Sequence, residues 1–179
     1  MKSAIKFILL TILLTGFNLN GSIFDQNFKI FGGFGAPYGF GGVNAGYLIN
    51  SNLEISAGIG FLGFMDNTVI DSAGNTIIPY NIGAKLFTPE AFWKTNIVPY
   101  VSCFWGTVAV IQYQGYSAFP YYEILKGFSF GYGFYIEILK PDIWGDIGIN
   151  YLITQEKLTG SIKDAFSSFN FFAGIGLLF

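Results

Sequence analysis

The last stretch of the chain, "SSFNFFAGIGLLF", alternates residue by residue between two kinds of side chain. One face carries Phe169, Phe171, Ala173, Ile175, Leu177 and Phe179. The other carries Ser168, Asn170, Phe172, Gly174, Gly176 and Leu178, mostly small or polar. The pattern recurs in "GFSFGYGFYIEIL", "IWGDIGINYLIT" and "LEISAGIGF". A period of two places successive side chains on opposite faces of a β-strand, whereas an amphipathic helix repeats near 3.6. These segments are strands with one oily face and one small or polar face.

What the oily face meets follows from composition. The chain is 52% hydrophobic and 20% aromatic, with only 11% charged residues. A soluble domain carries roughly 25% charged residues, so the supply for a wetted surface is short by half. Lipid is the expected neighbour. A helical crossing does not fit, because that needs about 20 consecutive apolar residues. The longest interior candidate, Ile97 to Ile111, has 15, holds Pro99 near its start, and is rich in β-branched and aromatic residues. Strands cross a membrane in about 9–11 residues each, alternating apolar outward with polar or small inward.

Eight segments meet that description, near 27–35, 38–49, 53–63, 76–87, 97–111, 127–139, 143–154 and 167–179. Pro37 and its neighbours form the turn from the first to the second. Both ends of an even-stranded barrel lie on one side, here the periplasmic side. "NSN", "TPEAFWKTN" and "KPD" are then periplasmic turns, and the longer segments 64–75, 112–126 and 155–166 lie outside. The fold class is all-β, an antiparallel up-and-down transmembrane barrel of eight strands.

The N-terminus, "MKSAIKFILLTILLTGFNLNGS", has Lys2 and Lys6 ahead of an apolar stretch from Phe7 to Phe17. This is the pattern of a secretory signal peptide, too short for a spanning helix. The expected organisation is a signal peptide over 1–21, cut near Gly21 or Ser22, and a barrel domain over 22–179. No segment that reads as a peptidoglycan-binding domain follows the last strand.

On this pattern the chain resembles the small eight-stranded outer-membrane β-barrel family, the type of the membrane domain of outer membrane protein A. The resemblance covers nearly all of residues 22–179. Its most specific feature is the last strand, where Gly174, Leu177 and Phe179 match the family's assembly signal. Phe172 stands where that signal has a polar residue. The resemblance implies location in a bacterial outer membrane, contact with its lipids, and recognition of Phe179 by the barrel-assembly machinery. A monomer is expected.

An eight-stranded barrel has an interior just wide enough for side chains to fill. Inward glycines make room for inward aromatics such as Phe31, Tyr100, Phe104, Tyr135 and Phe172. Five charged residues also point inward: Lys29, Glu54, Lys85, Glu137 and Asp146. By register all lie in the periplasmic half. Glu54 and Lys85 fall on neighbouring strands and suit a direct pair. Glu137 and Asp146 approach each other across "KPD" and need a cation, for which Lys29 is the candidate. The five read as a polar plug that satisfies buried charge; a gated ion path is the alternative.

Several functions are excluded or disfavoured. There is no histidine or arginine, and Cys103 is the one cysteine. A disulfide, a zinc site and activation of a nucleophile by imidazole are all out of reach within this chain. The enzymes among outer-membrane barrels depend on histidine, so no catalytic residues are assigned. No cofactor or metal is expected; the acids of the outer segments, Asp66, Asp71, Glu123, Glu156 and Asp164, are scattered. Nucleic-acid binding is not expected from a net charge of −2 with dispersed lysines. Two roles remain. One is a structural or surface-interaction protein that meets an extracellular or host protein through its loops. Tyr113, Tyr116, Phe119, Tyr121 and Tyr122, concentrated in one outer connection, are its candidate contacts; an interfacial aromatic girdle at the outer membrane surface is the plainer reading of the same residues. The other is a narrow channel for ions or small solutes.

Overall fold

The computed structural model describes residues 27–61, 78–88, 96–113, 121–139, 143–155 and 167–179. The expected signal peptide, the "KPD" turn and the segment 64–75 lie outside them, as do most of 155–166 and "TPEAFWKTN".

The strands are β1 (Phe28–Phe34), β2 (Gly42–Asn50), β3 (Leu53–Gly60), β4 (Tyr80–Phe87), β5 (Ile97–Tyr113), β6 (Tyr121–Leu139), β7 (Ile143–Thr154) and β8 (Phe169–Leu178). Each pairs antiparallel with the next, and β1 pairs with β8 to close an up-and-down barrel. At the seam, Phe28 and Phe179 exchange both backbone hydrogen bonds, at 3.1 and 2.7 Å. Closure leaves no strand edge within the ring unpaired, the condition for a sheet to sit in lipid. Below, the near end is the one that holds Phe28 and Phe179, and the far end is its opposite.

The period-two reading survives in three dimensions. Ile55, Ile59, Ile82, Val101, Tyr132, Ile147, Ile149, Phe171 and Ile175 are exposed on the outside, and Cys103 lies there too. Phe31, Tyr100, Phe104, Tyr135 and Phe172 are buried within. Pro99 is accommodated near the start of β5, where its carbonyl accepts from Thr88 N at 3.2 Å, just past the β4 ladder. The hydrogen its nitrogen lacks would point to that same side, past the Phe87–Tyr100 end of the β4–β5 register, so the proline costs the ladder no bond within its length. At the near end Asn50 Oδ1 accepts from both Asn52 N and Leu53 N at 2.9 Å, which fixes the "NSN" turn.

Two boundaries differ from the sequence expectation. β5 and β6 run to Tyr113 and from Tyr121, so much of 112–126 is ladder rather than loop. β4 pairs with β5 as far as Gly106, and β7 with β6 as far as Gly127. Beyond these rungs the β5–β6 ribbon continues without a third strand among the described residues. Its β-branched and aromatic residues favour extended pairing even where no third strand supports it.

The second difference lies between β1 and β2. Residues 38–41 are not strand. Ala36–Tyr38 form a single 3-10 turn that folds back into the barrel, and all three residues are buried. Gly35, Gly39, Phe40 and Gly41 carry positive φ, at 99°, 60°, 67° and 146°. A chain that must reverse direction twice within a few residues needs such left-handed backbone, and glycine supplies three of the four. Val108, Ile111, Leu125 and Leu152 cluster with Ala36, and Phe40 packs on them, so the inner side of the ribbon covers the turn.

Candidate functional site

The lumen holds a four-residue ionic network. Lys29 Nζ donates to Glu54 Oε2 at 2.9 Å, and Lys85 Nζ donates to Asp146 Oδ2 at 2.9 Å. Lys85 also stands 3.9 Å from Glu54 Oε1. Each of the four is at most 1% exposed. Two cations face two carboxylates, so the buried charge sums to zero, the condition under which ions persist away from water.

The sequence places Glu54 and Lys85 as neighbours, and they are Cα partners across β3 and β4. The expected role of Lys29 is corrected. Its ammonium group donates to Glu54, two strands away. Gly46 on β2 lies between, and a Cβ there would come within 2.6 Å of Glu54 Oε1. The missing side chain is what lets the carboxylate cross β2 to reach Lys29. Glu137 is also corrected. It sits opposite Trp144, beside a register shift between Glu137 and Leu139, and is only half-buried. Its partner across the sheet is an indole, and among the described residues the lumen salt bridges join Lys29, Glu54, Lys85 and Asp146. Asp146 pairs in register with Tyr135 instead.

Three tyrosines complete the network, and none of their hydroxyls was singled out by the sequence. Tyr38, on the inward turn, donates to Asp146 Oδ2 at 2.7 Å, and Tyr100 donates to Asp146 Oδ1. Tyr135 accepts from Lys85 Nζ at 2.6 Å and donates towards Glu54 at 3.2 Å. The ring of Tyr135 lies 4.4 Å from Lys29 Nζ and 4.5 Å from Lys85 Nζ, so it also stabilises both ammonium groups through its face. Phe31 and Phe87 stack on Tyr135, with centroids 5.1 and 5.6 Å away. The charges are thus wrapped by aromatic rings as well as paired.

The inward turn is seated by side chains and by absences of side chains. Asn44 Nδ2 donates to Pro37 O at 2.9 Å, and Asn81 Nδ2 donates to Ala36 O. The carbonyls of a buried turn need donors, and these amides supply them. A Cβ on Gly58 would collide with Pro37 O, and one on Gly174 would collide with the Tyr38 hydroxyl. Gly174, expected as part of an assembly signal, is therefore also the floor under Tyr38.

The other expected residues are placed as follows. Leu177 and Phe179 are exposed on the outer surface at the near end, 43% and 56%. Tyr113, Tyr121 and Tyr122 belong to the β5–β6 ribbon, with Tyr113 opposite Tyr121; they are strand residues, not loop residues. Tyr116 and Phe119 lie outside the described residues.

The arrangement has the makings of a stopper: an ionic lock across the lumen, capped on its far side by a turn that hydrogen-bonds to it. Among the described residues no cluster of three or more His, Cys, Asp or Glu side chains is placed to hold a metal.

No protein-family model and no curated protein matches the chain. Among solved structures, the N-terminal β-barrel domain of Pseudomonas aeruginosa OprF is similar, with a TM-score of 0.51 and 17% identity. The match spans 86% of this chain and 98% of that one. The fold is that of the OprF barrel. At 17% identity the likeness speaks for the path of the backbone, and an OprF-like barrel is built here around a lumen read from this chain's own residues.

Proposed function

We propose that this chain is an integral outer-membrane β-barrel protein with a structural or surface-interaction role, and that its lumen is closed. The OprF-like fold and the apolar outer wall support the membrane location. Exposed Ile, Phe and Tyr side chains on all eight strands form a surface that water would not tolerate and lipid would. The observation that carries the closed lumen is the pairing of Lys29, Glu54, Lys85 and Asp146 beneath the Tyr38 turn. Interaction then falls to the outer face, where the β5–β6 ribbon stands beyond the ring.

The location is tested by expressing the chain in a Gram-negative host and separating inner from outer membranes. The reading expects outer-membrane recovery, with a band whose gel mobility changes on boiling, as a folded barrel's does. Recovery in the inner membrane or the soluble fraction refutes it. Phe179→Ala is expected to slow appearance of the folded band, since Gly174, Leu177 and Phe179 are offered as the signal read by the assembly machinery. Unchanged assembly leaves Phe179 as an interfacial aromatic and no more.

A second reading, a narrow ion path, draws on one distance. Lys85 has Asp146 at 2.9 Å and Glu54 at 3.9 Å, so a short movement of one ammonium group exchanges its partner.

A further inference from the structure

The far end of β5 breaks the alternation that the rest of the strand obeys. Ser102 and Phe104 face the lumen, while the odd-numbered Val101, Cys103 and Trp105 face out. The last β4–β5 rung among the described residues sets Asn81 opposite Gly106, and beyond it the sides exchange. Thr107 pairs with Lys126 and Ala109 with Leu125, so Val108 is an extra residue between two rungs. Val108 is buried, and so is Ile111, an odd-numbered residue that unbroken alternation would turn outward. A bulge of this kind bends a strand and re-aims its side chains. Here it gathers Val108, Ala109 and Ile111 on one side of the ribbon, together with Leu125 of β6.

The backbone beside the bulge suits a bend. Gly106 carries a φ of 144°, which an L side chain rarely adopts. A Cβ there would also collide with Tyr80 O and with the Asn81 side chain. The Tyr80 amide, at the start of β4, donates to Thr107 Oγ1 at 3.1 Å. The end of the β4 ladder is therefore tied off by a side chain where the ribbon leaves the ring.

Burial gives the direction of the bend. Val108, Ile111 and Leu125 stand past the Asn81–Gly106 and Gly127–Thr154 rungs. On an upright ribbon such side chains would face an open mouth, yet Val108 and Leu125 are 1% exposed and Ile111 8%. They pack with Leu152 of β7 and with Ala36 of the inward turn. The ribbon leans over the mouth. Ala36 belongs to this cluster, whereas Tyr38 belongs to a separate one with Tyr100 and Tyr135 around the ionic lock.

We propose that the β5–β6 ribbon is a lid, hinged at Gly106 and the Val108 bulge, which closes the far mouth by seating its apolar underside on the inward turn. The lumen then has two closures in series. One is the ionic lock, and the other is apolar, of the kind that excludes ions by dewetting. Breaking the lock alone leaves the far mouth shut. A second closure deepens the closed-lumen reading and rests on it.

The test is thiol labelling of the refolded protein in detergent by a charged methanethiosulfonate. Leu125→Cys in a Cys103→Ser background places the one thiol under the lid. In the folded barrel it is expected to stay protected, and to stay so when Lys85→Met is added. Gly106→Ala, which the bend does not accept, is expected to speed labelling about tenfold or more, since labelling follows the open population. Ile111→Asp is expected to do the same and serves should Gly106→Ala fail to fold. It sets a second carboxylate opposite Glu123 in the register. Prompt labelling in a folded barrel that does not conduct overturns the lid and leaves closure to the lock. Protection unchanged by both Gly106→Ala and Ile111→Asp overturns the hinge. Labelling accelerated by Lys85→Met overturns the independence of the two closures. A protected thiol in a barrel that conducts overturns the closed-lumen reading, and the lid as a seal with it.

Discussion

Lys85→Met is expected to destabilise the barrel by about 3–5 kcal/mol, the characteristic cost of removing one partner from a buried ion pair. Lys85 is 1% exposed. It is bonded to Asp146 at 2.9 Å and to Tyr135 at 2.6 Å, and lies 3.9 Å from Glu54. Methionine keeps most of the apolar stem that crosses the lumen, so the loss reports the ammonium group rather than a cavity. Glu54 retains Lys29, but Asp146 loses its ion pair and keeps the Tyr38 and Tyr100 hydroxyls. Hydrogen bonds alone do not offset the desolvation of a buried carboxylate. Urea unfolding of the refolded protein measures the change as a shifted midpoint. Adding Asp146→Asn to Lys85→Met is expected to restore most of it, because the amide oxygen accepts from one tyrosine, the NH2 donates to the hydroxyl oxygen of the other, and no charge is left to orphan. An unchanged midpoint in Lys85→Met would mean that the paired charges are not what holds the lumen together.

The second large effect is expected from Gly58→Val. Gly58 faces inward on β3, and its missing Cβ leaves the place taken by Pro37 O. A valine side chain and the inward turn cannot both occupy it. Overpacking a close-packed interior costs typically about 1–3 kcal/mol. Here the cheapest relief is expulsion of Ala36–Tyr38, because the ring of eight strands closes without the turn. Glycines and positive φ on both sides of the turn already permit more than one path. Expulsion exposes the bonds after Tyr38 and Phe40 to chymotrypsin. Cleavage there is expected to accelerate by roughly the 5–30-fold that one or two kcal/mol represents, while the gel shift of the folded barrel persists. Equal resistance in parent and variant would show that the turn is not seated against Gly58.

The two results bear on different parts of one closure. Lys85 acts across the barrel and Gly58 beneath the turn, and Tyr38 joins them, since its hydroxyl reaches the carboxylate that Lys85 neutralises. Loosening the turn therefore removes a donor from Asp146, and a change at Asp146 removes an acceptor from the turn.

The contrast between what could be read in the sequence and what could not has a physical basis. Alternation fixes the face of each residue within its own strand, so the inward positions of Lys29, Glu54, Lys85 and Asp146 were legible. The Glu54–Lys85 juxtaposition was legible too, because those strands are adjacent. Contacts between strands that are not neighbours depend on the stagger of the closed barrel, which no single strand encodes. Lys29 reaches Glu54 only because Gly46 stands between them. Glu137 alternates correctly, yet the register shift at the end of β6 leaves it half out of the lumen.

The inward turn was hidden for a related reason. "GAPYGFGG" has the composition of an ordinary surface turn, rich in glycine and proline. Its distinguishing mark is the set of glycines that receive it, Gly58 on β3 and Gly174 on β8, brought together by closure alone. The length of the β5–β6 ribbon is not legible in the sequence, because tyrosines between two strands suit a loop as readily as a continued ladder.

The closed lumen is tested most directly by single-channel recording of the refolded protein in planar bilayers, after a gel shift has verified folding. Insertion without conductance steps above baseline is the predicted result. Reproducible steps whose size changes in Lys85→Met or Glu54→Gln would contradict it, and would make the ionic lock a gate.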